Sequence, residues 1–222
     1  MKGAPRATRG RPPRITEERL RTAILEIEGE IPTMQSLARQ LGVGVATLYS
    51  HVRGQDELHR LSADTAFDSW ALPEAEPDAH WAEWTLAYAR DARRMIERYP
   101  AVHGSRPLGG GQLRYVERVL ARLVAFGMTS SEALHVFYPI ALLILGVGAQ
   151  IETTKREEAS AGRDIWGIFE QVLAAHASPL PTLRGLDRAG TPNLHEAFDE
   201  LVWYTLTGIA RQRGEVLPAL VR

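Results

Sequence analysis

Cysteine is absent from this chain of 222 residues. Its absence excludes a disulfide framework, a thiol nucleophile and any cysteine-ligated zinc or iron–sulfur centre, and it fits a reducing compartment. Runs of alternating β-branched residues are missing as well, which leaves little from which to build a sheet. Long hydrophobic runs are also lacking. The longest uncharged apolar stretch, Val136 to Ala149, has 14 residues, whereas a membrane span needs about 20. That stretch is expected to be a buried helix. No basic segment followed by an apolar one opens the chain, so a cytoplasmic protein that does not enter a membrane is expected.

What is present suits one large or two modest globular domains, at 45% hydrophobic and 24% charged residues. The net charge is only −1, but it is unevenly spread. Residues 1–60 hold ten Lys/Arg against seven Asp/Glu, or +3, which leaves −4 for the rest. Lys2, Arg6, Arg9, Arg11, Arg14, Arg19 and Arg21 face only Glu17 and Glu18, on a segment whose glycines and prolines forbid early helix. Such an arm can reach phosphates or a minor groove, and on charge alone a solubilising tail fits equally well.

Apolar residues recur at spacings of three and four throughout, which predicts an all-α chain. A first helix spans Thr16 to Glu28, a second runs from an N-cap at Thr33 to Leu41, a short third covers Val45 to His51, and a fourth covers Gln55 to Trp70. The proline-bounded segment from Pro73 to Pro77 marks a domain boundary. The expected organisation is a basic arm (1–15), an N-terminal three-helix unit of helix-turn-helix form with its connecting helix (16–72), and a larger helical domain (73–222). In the last, one helix ends at Pro100 and another at Gly127. Thr129 with Glu132 opens a long helix that Pro139 is expected to kink. A shorter one covers Asp164 to Ala177, a loop spans Ser178 to Pro192, and a final helix runs from Asn193 to Arg213.

The segment Leu41 to Val52, "LGVGVATLYSHV", sits where a helix, a glycine turn and a second short helix meet. That arrangement lets the second helix enter a major groove. Leu37, Leu41, Val43, Leu48 and Val52 can form its small core, with Ala38 allowing close approach. Val45, Ala46, Thr47, Tyr49, Ser50 and His51 then point outward, where methyl-bearing bodies meet thymine methyls and polar tips reach phosphates or base edges.

"TMQSLARQLGVGVATLYSHVRGQDEL", Thr33 to Leu58, closely resembles the helix-turn-helix of the tetracycline-repressor (TetR) family. The resemblance implies that Gln35, Val45, Ala46, Thr47, Tyr49 and His51 face double-stranded DNA. Gln55 departs from it, because many members have a phosphate-binding lysine there. Arg53 and the arm, with Arg9 and Arg11, are expected to substitute. "RGRPPR", Arg9 to Arg14, is itself similar to the core of minor-groove-binding AT-hooks.

The second half resembles the tetracycline-repressor class in "RYPAVHGSRP" (Arg98 to Pro107), "FGMTSSEAL" (Phe126 to Leu134) and Leu145-Gly146. What this implies is a homodimer held by a four-helix bundle, formed by segments near Ser130–Glu152 and Asn193–Arg213 of both copies. Leu194, Phe198, Leu201, Thr205 and Gly208 would then lie at the interface. An intramolecular core helix is the other reading of the same face. His103 stands where the class has its magnesium-binding histidine, yet Gln150 occupies the position of the class's water-bridging carboxylate. Glu152 lies about 200° around the helix from it. No metal or other cofactor is therefore expected, and the effector is expected to be a small hydrophobic or aromatic molecule. Trp84, Tyr88, His103, Phe137 and Tyr138 are the candidate lining.

Other chemistry finds little support. The glycines at 42–44 and 109–111 lack a preceding strand and the spacing of a phosphate loop. His59, His80, His135, His176 and His195 show no metal-binding pairing, and no G-x-S-x-G elbow is present. The expected function is a ligand-responsive transcriptional regulator, a repressor on an inverted-repeat operator, and not an enzyme. The alternative is a helical small-molecule-binding protein or hydrolase-like enzyme with a vestigial DNA-binding unit.

Overall fold

The computed structural model describes residues 15–76, 78–104, 109–188 and 194–217, and all regular structure among them is helical. The basic arm, with Arg9 and Arg11, lies outside the described residues. The chain divides into two compact units. The first takes the residues up to Ser69 together with Tyr99–Gln112, and the second takes Trp70–Arg98 together with everything from Leu113 on. The expected boundary stood at 72/73, and the return of 99–112 to the first unit is not visible in the sequence.

The first unit contains α1 (Glu17–Leu25), α2 (Met34–Leu41), α3 (Val45–Leu48), α4 (Gln55–Ser69) and a short 3-10 helix, Pro100–Gly104. The Thr16 hydroxyl caps α1, accepting from the Arg19 amide at 3.2 Å. A capping box opens α2. There the Thr33 hydroxyl accepts from the Ser36 amide at 3.0 Å, and the Ser36 hydroxyl accepts from the Thr33 amide at 2.9 Å. Each bond satisfies an N–H that the helix itself leaves unpaired. Gly42 ends α2 at φ 67°, a left-handed conformation that costs about 1–2 kcal/mol for a residue with a Cβ. Leu37, Leu41, Leu48, Val52 and Leu58 close the core with Leu20 and Ile24 of α1, while Val43 and Val45 pack at its edge. The carbonyl of Ala101 bonds the His59 ring at 2.9 Å, tying α4 to the 3-10 helix.

Two basic residues counted with the arm turn out to be structural. Arg19 donates to the Leu41 carbonyl at 2.7 Å, and Arg21 pairs with Glu17 and with Asp68 of α4. The predicted third helix is also shorter than expected. Regular α-helix ends at Leu48, and Tyr49 to His51 continue as hydrogen-bonded turns, with the His51 amide donating to Leu48 O at 2.9 Å.

The second unit is built from α5 (Trp81–Arg98), most of α6 (Gly110–Ala125), α7 (Ser130–Ala161), α8 (Ile165–Ala175), α9 (Pro181–Arg184) and α10 (Leu194–Gln212). α9 falls within the segment expected to be all loop. α7 is one helix of 32 residues that contains Pro139, opened by the Thr129–Glu132 capping box and closed by Gly162 at φ 65°. Hydrogen bonds from the Thr129 amide and hydroxyl hold the Glu132 carboxyl below its ordinary range.

α7 is also more apolar than its uncharged run suggested. An 18-residue window has mean hydropathy 1.8, so by length and composition this helix could cross a membrane. One stripe, Ala133, Val136, Ile140, Ile144 and Ile151, is buried against the unit's own core. On the other side Leu134, Tyr138, Leu142 and Leu145 are exposed. α10 packs on α5 and α7 through Phe198, Val202, Leu206 and Ala210, all at most 1% exposed. Phe198, expected at a dimer interface, therefore belongs to the protomer's own core. Arg213 at the end of α10 donates to Glu132 at 2.7 Å and to Glu215 at 2.8 Å, and Glu215 accepts the Trp81 indole N–H at 2.6 Å.

Candidate functional site

The turn at Gly42 and the burial of Leu48 and Val52 decide which side chains the first unit presents. Leu48 and Val52 are fully buried and four residues apart, so the residues between them on the wheel face out. Ala46, Thr47, Tyr49, His51 and Arg53 are exposed, Tyr49 by 54%, and Gln35 is exposed at the start of α2. Val45 is half-buried and packs on the core edge, so less of it is presented than expected. Gln55 is spent within the fold, its amide donating to the Pro32 carbonyl at 2.7 Å. This accounts for the missing lysine, because the position here braces α4 against the segment before α2. One residue missed by sequence reasoning is Arg39, which is exposed one turn after Gln35 on the same face of α2. The four-residue spacing was the available signal.

In the second unit, Trp84 and Tyr88 of α5 are buried, as a lining role requires. They are joined by three aromatics that the sequence did not single out for this role: Trp70, Tyr115 and Phe126. Trp70 stacks on Tyr115 with centroids 4.9 Å apart and planes 20° from parallel. Trp84 stacks on Tyr88 at 5.6 Å and 12°, and Phe126 lies against Trp84 at 6.0 Å, tilted by 47°. The Tyr115 hydroxyl donates to the Tyr88 hydroxyl at 2.8 Å, and burial pushes both phenols above their ordinary pKa. Both stay neutral across the physiological range. The Arg118 guanidinium lies 6.0 Å from the Tyr115 ring centre and donates to the Trp70 carbonyl at 3.1 Å. Beside it an open cleft of about 500 Å³ is lined by Ala71, Leu72, Arg118, Ala121, Arg122 and Ala125.

Three candidates fall outside this cluster. His103 is half-buried on the 3-10 helix of the first unit. Phe137 is half-buried on α7, and Tyr138 is 60% exposed on the outer stripe of that helix, which contradicts a lining role. Tyr138 stands instead with Leu134, Leu142 and Leu145. On α10 the expected interface residues divide. Leu201 is 45% exposed, Gly208 is exposed with open space about its Cα, and Thr205 is half-buried. Tyr204, which the sequence reading passed over, is 67% exposed. The side chain of Leu194 lies outside what is described. Among the described residues no three His, Asp or Glu side chains come together to hold a metal ion, and the Gln150 amide bonds Thr154 at 3.4 Å.

Comparison with known proteins bears on both units. Residues 72–213 match the family model described as "Tetracyclin repressor-like, C-terminal domain". A curated relative, the HTH-type transcriptional repressor DrrR1 of Streptomyces coeruleorubidus, is 28% identical over 96% of this chain and 85% of its own length. Among solved structures, ActR of Streptomyces coelicolor in complex with actinorhodin superposes with TM-score 0.67 at 24% identity, covering 91% of this chain and 100% of that one. TetR from Acinetobacter baumannii AYE gives TM-score 0.61 at 18% identity, over 90% and 99% of the two chains. At these identities the structural likeness establishes the fold, and the family match covers most of the chain. With an all-α fold and a family match over more than half of its length, the chain belongs to the tetracycline-repressor family of ligand-responsive, DNA-binding transcriptional regulators, which act as homodimers.

Proposed function

We propose that this regulator is a repressor that holds an inverted-repeat operator as a homodimer and leaves it when an aromatic effector enters the cluster around Tyr88. The observation that carries the DNA side is the exposed row Ala46, Thr47, Tyr49 and His51 over buried Leu48 and Val52. Thr47 and Ala46 offer methyls to thymine, while Tyr49 and His51 reach phosphates or base edges. Gln35, Arg39 and Arg53 add phosphate contacts, and the arm, with Arg9 and Arg11, supplies counterion release and a minor-groove reach. Two reading units bind half-sites about 34 Å apart, one helical turn of duplex. Such a protein works in the cytoplasm, where the chromosome is.

On the effector side, the cluster of Trp70, Trp84, Tyr88, Tyr115 and Phe126 suits a flat aromatic body. Among the relatives, ActR is known in complex with a small molecule, actinorhodin. Gly111 and Tyr115 lie one turn apart on α6, and the Gly111 amide is bonded to Asp64 of α4 at 3.1 Å. An effector that displaces Tyr115 therefore acts on α4, provided that it prefers one dimer state. Gln150 in place of a carboxylate favours binding without magnesium. Calorimetry with tetracycline should show no tight binding that depends on the metal.

Gel shifts with genomic upstream fragments test the DNA reading. Thr47→Ala and Tyr49→Ala should each weaken the specific complex about 5- to 150-fold, the usual effect of removing a base-edge interaction. Their circular dichroism should not change, because both side chains are exposed. Absence of a salt-resistant specific complex, or turnover of a substrate, would overturn the proposal.

A further inference from the structure

We propose that the open cleft between α6 and the Ala71–Leu72 segment is a second small-molecule site, which takes an aliphatic carboxylic acid with Arg122 as the anchor of its carboxylate. The site is distinct from the aromatic cluster and stands or falls independently of the effector reading above.

The cleft is cationic. Arg118 and Arg122 both line it and stand four residues apart on α6, so their guanidinium groups rise from one face of the helix. Like charges at this spacing repel, and none of the six lining residues is acidic. Arg118 is already committed. It donates to the Trp70 carbonyl at 3.1 Å and lies 6.0 Å from the centre of the Tyr115 ring, which fixes its position in one wall of the cleft. Arg122 is half-buried, and among the described residues it makes no hydrogen bond or ion pair. Its planar fork of N–H donors matches the two oxygens of a carboxylate, and an anion seated there also relieves the repulsion between the two arginines.

The shape suits a chain rather than a ring. Ala121 and Ala125 stand about one turn apart on α6, and with Ala71 and Leu72 they supply the apolar part of the lining. Their small side chains leave the cleft open. Its volume, about 500 Å³, lies in the range of small-ligand sites, and an apolar lining with a few placed charged groups is the usual make-up of such sites. No aromatic residue lines it, so the body of the ligand meets methyl groups and is held by burial and not by stacking. This selects an aliphatic chain over the flat rings that suit the cluster around Tyr88. From Arg118 to Ala125 the helix rises about 10 Å, which a chain of medium length can follow.

Isothermal titration of the full chain with octanoate, octanol and octylamine tests the site, because the three share one chain and differ in head-group charge. Octanoate should bind about tenfold more tightly than octanol, and octylamine no more tightly than octanol. This comparison uses the unaltered protein and does not depend on any variant folding. Arg122→Gln, which removes the charge and the fork, should lower octanoate affinity about tenfold and leave octanol affinity unchanged. Ala121→Trp fills the cleft from an exposed position and should abolish binding of both. Equal affinities for octanoate and octanol in the unaltered protein overturn the proposal. So does octanoate binding that neither substitution changes, since the acid would then be held elsewhere in the chain.

Discussion

The Asp64 carboxylate on α4 accepts the amide N–H of Gly111, the second residue of α6, at 3.1 Å. The approach is so close that a Cβ on Gly109 would overlap that carboxylate, and one on Gly111 would overlap the Asp64 backbone carbonyl. Asp64 is 9% exposed, and its other oxygen lies 3.8 Å from Arg60. Glycine at 109 and 111 is therefore required by close approach and not by backbone angle. Gly111→Ala should destabilise the protein by about 1–3 kcal/mol, the usual cost of overpacking, and lower its melting temperature. An unchanged melting curve would show that α4 and α6 do not meet this closely in solution.

Phe198 and Leu201 should respond to substitution in opposite ways. Phe198→Ala empties a fully buried position and should cost about 3–5 kcal/mol of stability. Leu201→Asp changes an exposed residue, so the fold should survive while the dimer weakens. Sedimentation at a series of concentrations reads the second effect. A Leu201→Asp protein that remains as dimeric as the parent would place the interface elsewhere.

Deleting residues 1–14 should lower operator affinity and flatten the plot of log K against log salt. The slope should fall by about 0.9 for every phosphate that the arm neutralises. An unchanged slope would mean that the basic arm is a solubilising tail.

Stability should fall at high pH because of the buried phenols. Burial raises the Tyr88 and Tyr115 pKa above the ordinary value of 10.0, so the folded state holds protons that the unfolded state has lost. Their contribution is fully present below pH 10.0 and is lost as pH rises from there through the folded values. Denaturant melts between about pH 8 and 11.5 should show this decline. Replacing both tyrosines with phenylalanine should flatten it.

Much of the exposed face of the helix-turn-helix was legible in the sequence because it is local. Thr33 caps, Gly42 turns, and Leu48 and Val52 face inward four residues apart, so Thr47, Tyr49 and His51 have one direction left. A few details of that unit were not local. Arg19 and Arg21 read as free basic residues in the sequence, whereas the fold engages them with the Leu41 carbonyl and with Asp68.

The sequence by itself determined that the chain is helical, where most helices begin and end, and which side chains the helix-turn-helix presents, since periodicity and capping act within a few residues. Tertiary structure decided the rest. Phe198 and Leu201 are about 60° apart on the wheel of a helix that is apolar on more than one side. Only packing against α5 and α7 buries one and exposes the other. The aromatic cluster draws on positions 70, 84, 88, 115 and 126, and the Asp64–Gly111 bond joins residues 47 apart. No local preference encodes either. The cluster exists only once Tyr88 of α5 meets Tyr115 of α6, and the bond only once α4 meets the start of α6, and both follow from the burial of apolar faces.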